Sequence, residues 1–287
     1  MLRGIDVSSN DGWPFNANTE RAFRESDFVI VKATQGITYV NPYKIVAAKR
    51  VLDSGKLLGF YHYAGGNSPR EEAEFFWSKI SEHMPALMAL DWEDYQNRSW
   101  GDTSWCRKFA DRFHELSGIW PAIYIQSSEL RQAENCADDC ALWVADYPDD
   151  RNSWIFPSWD VSTGKWDRWT LWQYTSSGGK TDREFFDGDS PAWNAIAGGA
   201  QPEPDDDGKD DGRMEREWWR PIVVASGERG ELVGLVQRTL NDRGFDCGTA
   251  DGIFGKNTEA AVMSFQREHG LDDDGIVGPD TAHELFA

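Results

Sequence analysis

Positive charge is scarce in this chain: 29 lysines and arginines stand against 49 aspartates and glutamates, for a net charge of −20. A nucleic-acid surface needs a stripe of cations that displaces counterions from phosphates, and no basic stripe is present. The same deficit argues against electrostatic capture by anionic membranes or anionic polymers. Long apolar runs are also missing, and none approaches the ~20 residues that cross a bilayer as a helix. The opening Met1-Leu2-Arg3-Gly4-Ile5-Asp6-Val7 lacks the charged, apolar and small-residue regions of a signal peptide, so synthesis in a cytoplasm is expected. Cysteine is sparse, and Cys106, Cys136, Cys140 and Cys247 do not form paired C-x-x-C metal spacings. Free thiols, or one disulfide among the first three, are the open alternatives. No metal and no cofactor are expected, and neither a G-x-S-x-G nucleophile turn nor a glycine-rich phosphate loop occurs. What is plentiful is tryptophan, with 15 copies. An indole can fill a core or lay its face on a sugar ring.

The chain divides at an acidic stretch. From residue 200 to 217 it carries prolines, glycines, dense acid and almost no apolar side chain, so it cannot bury enough surface to offset its ordering entropy. The sequence predicts a domain over residues 1–199, a linker over 200–217 and a second domain over 218–287. In the first, β-type runs at Leu2–Ser8, Phe28–Thr34, Leu57–Tyr63, Leu87–Glu93, Pro121–Gln126, Leu142–Tyr147 and Thr170–Tyr174 alternate with helical patterns at Pro42–Ser54, Pro69–His83 and Thr103–Leu116. Such alternation indicates an α/β fold with a largely parallel sheet. Several runs end in Asp6, Lys32, His62, Asp91, Glu93 or Gln173, and polar groups at strand carboxyl ends are where a (β/α) barrel of TIM type places its site.

The segment Leu87-Met88-Ala89-Leu90-Asp91-Trp92-Glu93 is an apolar strand ending in D-x-E. Side chains alternate along a strand, so Asp91 and Glu93 project to the same side, roughly 6–7 Å apart along the backbone. A buried carboxyl of such a pair has its pKa raised and can protonate a leaving oxygen, while a hydrated one stays ionised. Glycoside hydrolysis uses that division of labour.

Gly4-Ile5-Asp6-Val7-Ser8, Val29-Ile30-Val31-Lys32-Ala33-Thr34, Gly59-Phe60-Tyr61-His62-Tyr63, Leu90-Asp91-Trp92-Glu93, Leu142-Trp143-Val144-Ala145 and Leu171-Trp172-Gln173-Tyr174-Thr175 follow one another as in glycoside hydrolase family 25 lysozymes. This set resembles that family over about residues 2–190. The resemblance implies an irregular (β/α) barrel and cleavage of the β-1,4 bond between N-acetylmuramic acid and N-acetylglucosamine. By the same resemblance Glu93 is the proton donor, Asp91 its acidic partner, Asp6 a third acid on the pocket floor and Asp182 the fourth, with Asp187 the alternative in that segment. Tyr61 and Trp172 resemble substrate-lining aromatics, and Tyr63, Tyr124 and Trp143 are assigned with them. Gln35 and Glu184 depart from the family pattern, standing where Glu and Asn are frequent.

The second domain repeats itself. Asp251-Gly-Ile-Phe-Gly-Lys-Asn-Thr258 recurs as Asp274-Gly-Ile-Val-Gly-Pro-Asp-Thr281, each a tight turn leading to a Thr or Asn/Asp helix N-cap. With helical patterns at Leu232–Arg243, Thr258–His269 and Thr281–Phe286, this reads as a small all-α bundle of three helices. The unit is similar to type 1 peptidoglycan-binding domains through Val236-Gln237, Phe265-Gln266 and the two D-G-I turns. Together the resemblances imply a monomeric muramidase of phage-endolysin type, binding bacterial peptidoglycan through both domains. It would be made in a host cytoplasm and act on the wall after release. A bacterial autolysin, a chitinase-like glycosidase and a non-catalytic wall-binding protein are the alternatives.

Overall fold

The apolar strands of the first unit bury both of their faces, which is why they read as near-continuous hydrophobic runs. In the computed structural model, residues 1–81, 85–148, 153–158, 160–176, 181–198 and 224–286 are described. The chain separates into two compact units, Met1–Asp210 and Asp211–Ala287. The acidic segment expected to link them, and Trp218 and Trp219 after it, lie outside the described residues.

One sheet runs through the first unit. Its strands are β1 (Leu2–Val7), β2 (Phe28–Gln35), β3 (Tyr39–Val40), β4 (Leu57–Tyr63), β5 (Leu87–Asp91), β6 (Ala122–Gln126), β7 (Leu142–Ala145), β8 (Leu171–Thr175) and β9 (Arg183–Phe186). β1 pairs with β2 in parallel, from Gly4 opposite Phe28 to Val7 opposite Val31. That pairing closes eight strands into a barrel and leaves the two-residue β3 outside, on β2. Seven barrel strands are mutually parallel, whereas β9 runs antiparallel to both of its neighbours, β8 and β1. The irregular (β/α) barrel is therefore the fold of this unit, with one reversed strand that the alternating pattern did not predict.

Residues of one parity fill the barrel interior, among them Ile30, Tyr61, Ala89, Tyr124, Trp143 and Leu171. The other parity, including Val29, Phe60, Leu90, Ile123, Val144 and Trp172, faces the layer outside the barrel. The interior is narrow enough to require glycine at Gly4, where a Cβ would fall 1.9 Å from the Phe28 ring. Four helices follow the early strands: α1 (Ala17–Glu25), α2 (Lys44–Asp53), α3 (Pro69–Ile80) and α4 (Trp105–Ser117). α1 starts where the Asn16 side chain accepts from the Asn18 and Thr19 amides, and α4 stops at Gly118 in the left-handed region. Between β6 and β7 only two short 3-10 turns, Leu130–Gln132 and Glu134–Cys136, replace a helix. After β9, α5 (Ser190–Ile196) brings Trp193 against Phe28 and Phe186, with ring centroids 4.6 and 5.3 Å away.

The second unit holds α6 (Glu231–Asp242), α7 (Lys256–Glu268) and α8 (Pro279–Phe286). Its repeat has a cause that sequence reading misplaced. α7 begins after Gly255, so Thr258 is inside the helix instead of capping it. Its hydroxyl accepts from the buried Gln237 amide, which also donates to Asp251 Oδ1 and the Ile253 carbonyl, each at 3.1 Å. Gln266 repeats this with Asp274, Ile276 and Thr281, each at 2.9 Å. Each buried glutamine thus saturates one D-G-I turn from the preceding helix. All four cysteines are free and buried, which closes the disulfide alternative.

Candidate active site

Inward-facing rows of the barrel turn polar at one end. β1 ends its row with Asp6, β2 with Lys32, β4 with Tyr61 and Tyr63, β5 with Asp91, and β8 contributes Gln173. Because β9 is reversed, its start rather than its end lies at this mouth, bringing Asp182 with it. Glu93, two residues past Asp91, keeps the same side. These groups surround a cavity of about 580 Å³. Asp6, Asp91, Glu93, Asp182, Tyr61, Tyr63, Tyr124 and Trp143, each expected from sequence, all line it. Asp11 lines it as well, but its carboxylate is engaged by the Ser8 amide at 2.8 Å and the Thr19 hydroxyl at 3.3 Å.

Trp172 is a correction. It lies on the outward parity of β8, fully buried among Trp169 and Phe156, and its indole N–H donates to the Asp146 carbonyl at 2.9 Å. Gln173, its neighbour, is the residue that faces the cavity. His62 is likewise outward, bonded to Thr34 and Glu72 at 2.8 Å each and stacked on Phe109. Asp187, the alternative to Asp182, follows β9 at the far end of the strand, where its amide donates to the Thr170 carbonyl. Sequence reading did not include Glu184 among the site residues; it is fully buried on β9, opposite Gly4 and Gln173.

Carboxyl groups crowded in a dry pocket resist ionising. Burial, reinforced by Glu93, pushes Asp91 well above the usual carboxylate range. Burial raises Glu93 too, with the charge of Asp6 adding and that of Lys32 opposing. Burial and the charges of Asp6 and Asp11 push Asp182 up to about 9. Lys32 is the cation among the described lining residues, and its ammonium donates to Gln35 Oε1 at 2.9 Å and sits 4.4 Å from the Tyr63 ring centroid.

Two tyrosines oppose the rise at Glu93. Glu93 lies within hydrogen-bonding reach of the Tyr63 and Tyr124 hydroxyls. Each phenol has one proton. Tyr63 spends its own on the Tyr95 carbonyl at 2.6 Å, and Tyr124 on Gln173 Oε1 at 2.7 Å. With both phenols engaged elsewhere, they offset only part of the rise that burial gives the Glu93 carboxyl. Asp91 differs: its Oδ1 is buried without a protein partner, as is the Trp143 indole nitrogen. Among the described residues no group of three or more His, Cys, Asp or Glu side chains is arranged to hold a metal ion.

A closed barrel with a pair of buried carboxyls of raised pKa, and further carboxyls beside them at the strand ends, is the arrangement that glycoside hydrolysis uses. The chain belongs to the glycosyl hydrolases family 25, which it matches over residues 5–182. Residues 229–285 match a peptidoglycan binding domain family. The chain is 30% identical to an autolytic lysozyme of Clostridium acetobutylicum over 100% of its own length and 80% of that protein. It is 28% identical to a lysozyme of Streptococcus phage Cp-7 over 60% of its length and 50% of that protein. Among solved structures, a muramidase from Acremonium alcalophilum superposes with a TM-score of 0.56 at 26% identity, covering 70% of this chain and 100% of that one.

Proposed function

We propose that this chain is an endo-acting N-acetylmuramidase, cleaving the β-1,4 bond between N-acetylmuramic acid and N-acetylglucosamine in bacterial peptidoglycan. The observation that carries this reading is Glu93 beside Asp91 in the cavity at the barrel mouth, a carboxyl whose pKa burial raises so that it can hold a proton for a leaving oxygen. Glu93 gives that proton to the glycosidic oxygen as the C1–O bond breaks. The substrate's 2-acetamido oxygen closes on C1, and its N–H supplies the partner that Asp91 Oδ1 lacks within the protein. Water then opens the ring at C1 and returns a proton to Glu93. An adjoining cavity of about 810 Å³, sharing Gln35, Tyr39 and Gln96 with the first, gives room for further saccharide units of a long chain.

We place the protein as a monomeric phage endolysin, made in a host cytoplasm and released to the wall, with the second unit binding the same polymer. The similarity to the clostridial autolytic lysozyme along the whole chain favours a bacterial autolysin as the second reading. Mass analysis of sugars released from washed cell walls tests the activity. Reducing-end muramic acid is expected, and reducing-end N-acetylglucosamine, or no release, would overturn it. In the same assay Glu93→Gln keeps shape and wall binding but loses about 10²–10⁴-fold in rate, the usual worth of a general acid.

A further inference from the structure

Glu184 has no place in the reaction just described, yet it is fully buried and neither of its carboxyl oxygens makes a well-formed hydrogen bond, the Gln173 amide lying only within reach. The ladder sets it one inward step below Asp182, with Gly4 of β1 on one side and Gln173 of β8 on the other. Gly4 has no side chain, and Asp6 is the next inward residue of β1. The Glu184 and Asp6 carboxyls meet within hydrogen-bonding reach. The charges facing the pair are Asp182, preceding β9, Asp11, beyond β1, and Lys32 of β2.

Two anions in such contact repel, and buried oxygens without a donor are costly. One proton on Glu184 removes the repulsion and leaves a neutral carboxyl, whose burial costs less than that of an anion. We propose that Glu184 is a positioning residue that stays protonated and donates to Asp6, and that it thereby sets the direction of the hydrogen bonds that run from Asp6 through Gln173 to Tyr124, beside Glu93.

The bonds run one way. Asp6, kept as the anion, accepts from Glu184 and, through Oδ2, from the Gln173 amide at 2.7 Å. With its N–H turned to Asp6, Gln173 presents Oε1 to Tyr124 at 2.7 Å and Tyr147 at 2.6 Å. Tyr124, having donated to Gln173, has no proton left for Glu93, which lies within its reach. A proton on Asp6 Oδ2 instead would reverse each link: Gln173 would present its oxygen to Asp6 and its N–H to the tyrosines, and Tyr124 would be free to donate to an ionised Glu93. Burial, with Asp6 close by, also pushes the Glu184 carboxyl well above its usual range.

This inference rests on the muramidase reading, and two measurements separate their failures. The first needs no turnover. In an E93Q background with carbon-labelled glutamate, an infrared band of a neutral glutamic acid is expected at neutral pH and should vanish in E93Q/E184Q. The second is kinetic, on the full chain and soluble wall fragments. E184L, which cannot donate, should lose kcat by roughly tenfold or more, the loss of one hydrogen bond to a charged group. E184Q, whose amide still donates to Asp6, should recover to within a few-fold. Thermal melts of both variants check that they fold. A band that persists in E93Q/E184Q, or an E184Q as slow as E184L, overturns the proposal. A wild-type chain that releases no sugar overturns the activity reading and leaves the infrared test standing.

Discussion

Lys32 stands in a pocket lined by Asp6, Asp11, Asp91, Glu93 and Asp182, and its charge opposes the rise at Asp6, Asp91 and Glu93. Burial lowers the lysine's own pKa, while Asp91, Glu93 and Asp6 pull it back up. The interaction is mutual, so the ammonium holds Glu93 lower than burial alone would. Catalysis by Glu93 requires its protonated form and is lost as pH rises through its folded pKa. Removing the cation in Lys32→Met raises that pKa, so the alkaline limb of kcat/KM should move to higher pH, by about one unit for each 1.4 kcal/mol of lost interaction. A limb that stays put or moves down would show that Lys32 does not couple to the acid. Most of the residues in this pocket were legible in the sequence, because a polar residue ending an apolar strand is a strong signal. Trp172 was misplaced although the signal was there. A strand whose inward row ends in Gln173 must turn Trp172 outward, since successive side chains point to opposite faces.

At the scale of elements, α3 carries the residue that ties the first unit's loops to its sheet. Glu72, fully buried, accepts from the Gly65 amide at 2.9 Å and the Asn67 amide at 2.6 Å, and bonds His62 at 2.8 Å. Ser68 makes no side-chain bond at the α3 N-terminus, so Glu72 does the work of organising the entry loop. Glu72→Ala strands those partners in a dry place at about 1–3 kcal/mol each, and a loss of about 3 kcal/mol or more is expected. For a domain of this size that lowers Tm by roughly 6–12 °C. A calorimetric change under about 2 °C would mean that water replaces the carboxylate. α2, α4 and seven barrel strands were visible as periodic patterns within a residue or two of their bounds, and α3 within three. β9 was not, and the reason is physical: Arg183-Glu184-Phe185-Phe186 is four residues long and points a carboxyl inward. Its strand character comes from pairing with β8 and β1 on both sides, which no local pattern encodes. The reversed strand is also what brings Asp182 and Glu184 to the mouth, so missing it hid Glu184.

For the whole molecule, the two units have separate cores. The second buries Val236, Leu240, Phe254, Val262, Phe265 and Leu285, and its two glutamine-centred turns are satisfied within residues 237–281. A unit with its own core and its own polar groups paired has the means to fold alone. A chain ending near Gly199 should therefore stay folded and cleave soluble wall fragments at the full-length rate. On intact walls it should be slower, because a tethered binding module raises the local concentration of the hydrolase at its polymer; a flexible tether can raise avidity by 10²–10⁴-fold, which is roughly an upper bound for the loss. The isolated piece from about Trp218 to Ala287 should sediment with purified walls and release no sugar. Its binding should change little between low and high salt. Residues 218–287 carry 12 aspartates and glutamates against 6 lysines and arginines, so this piece has no counterion release to gain from an anionic polymer, and contacts other than ion pairs must hold it there. Aggregation of the N-terminal piece would mean that the second unit completes its core. A second unit left in the supernatant would make it a structural bundle, and steep salt dependence would mean that a local cationic patch outweighs the net charge.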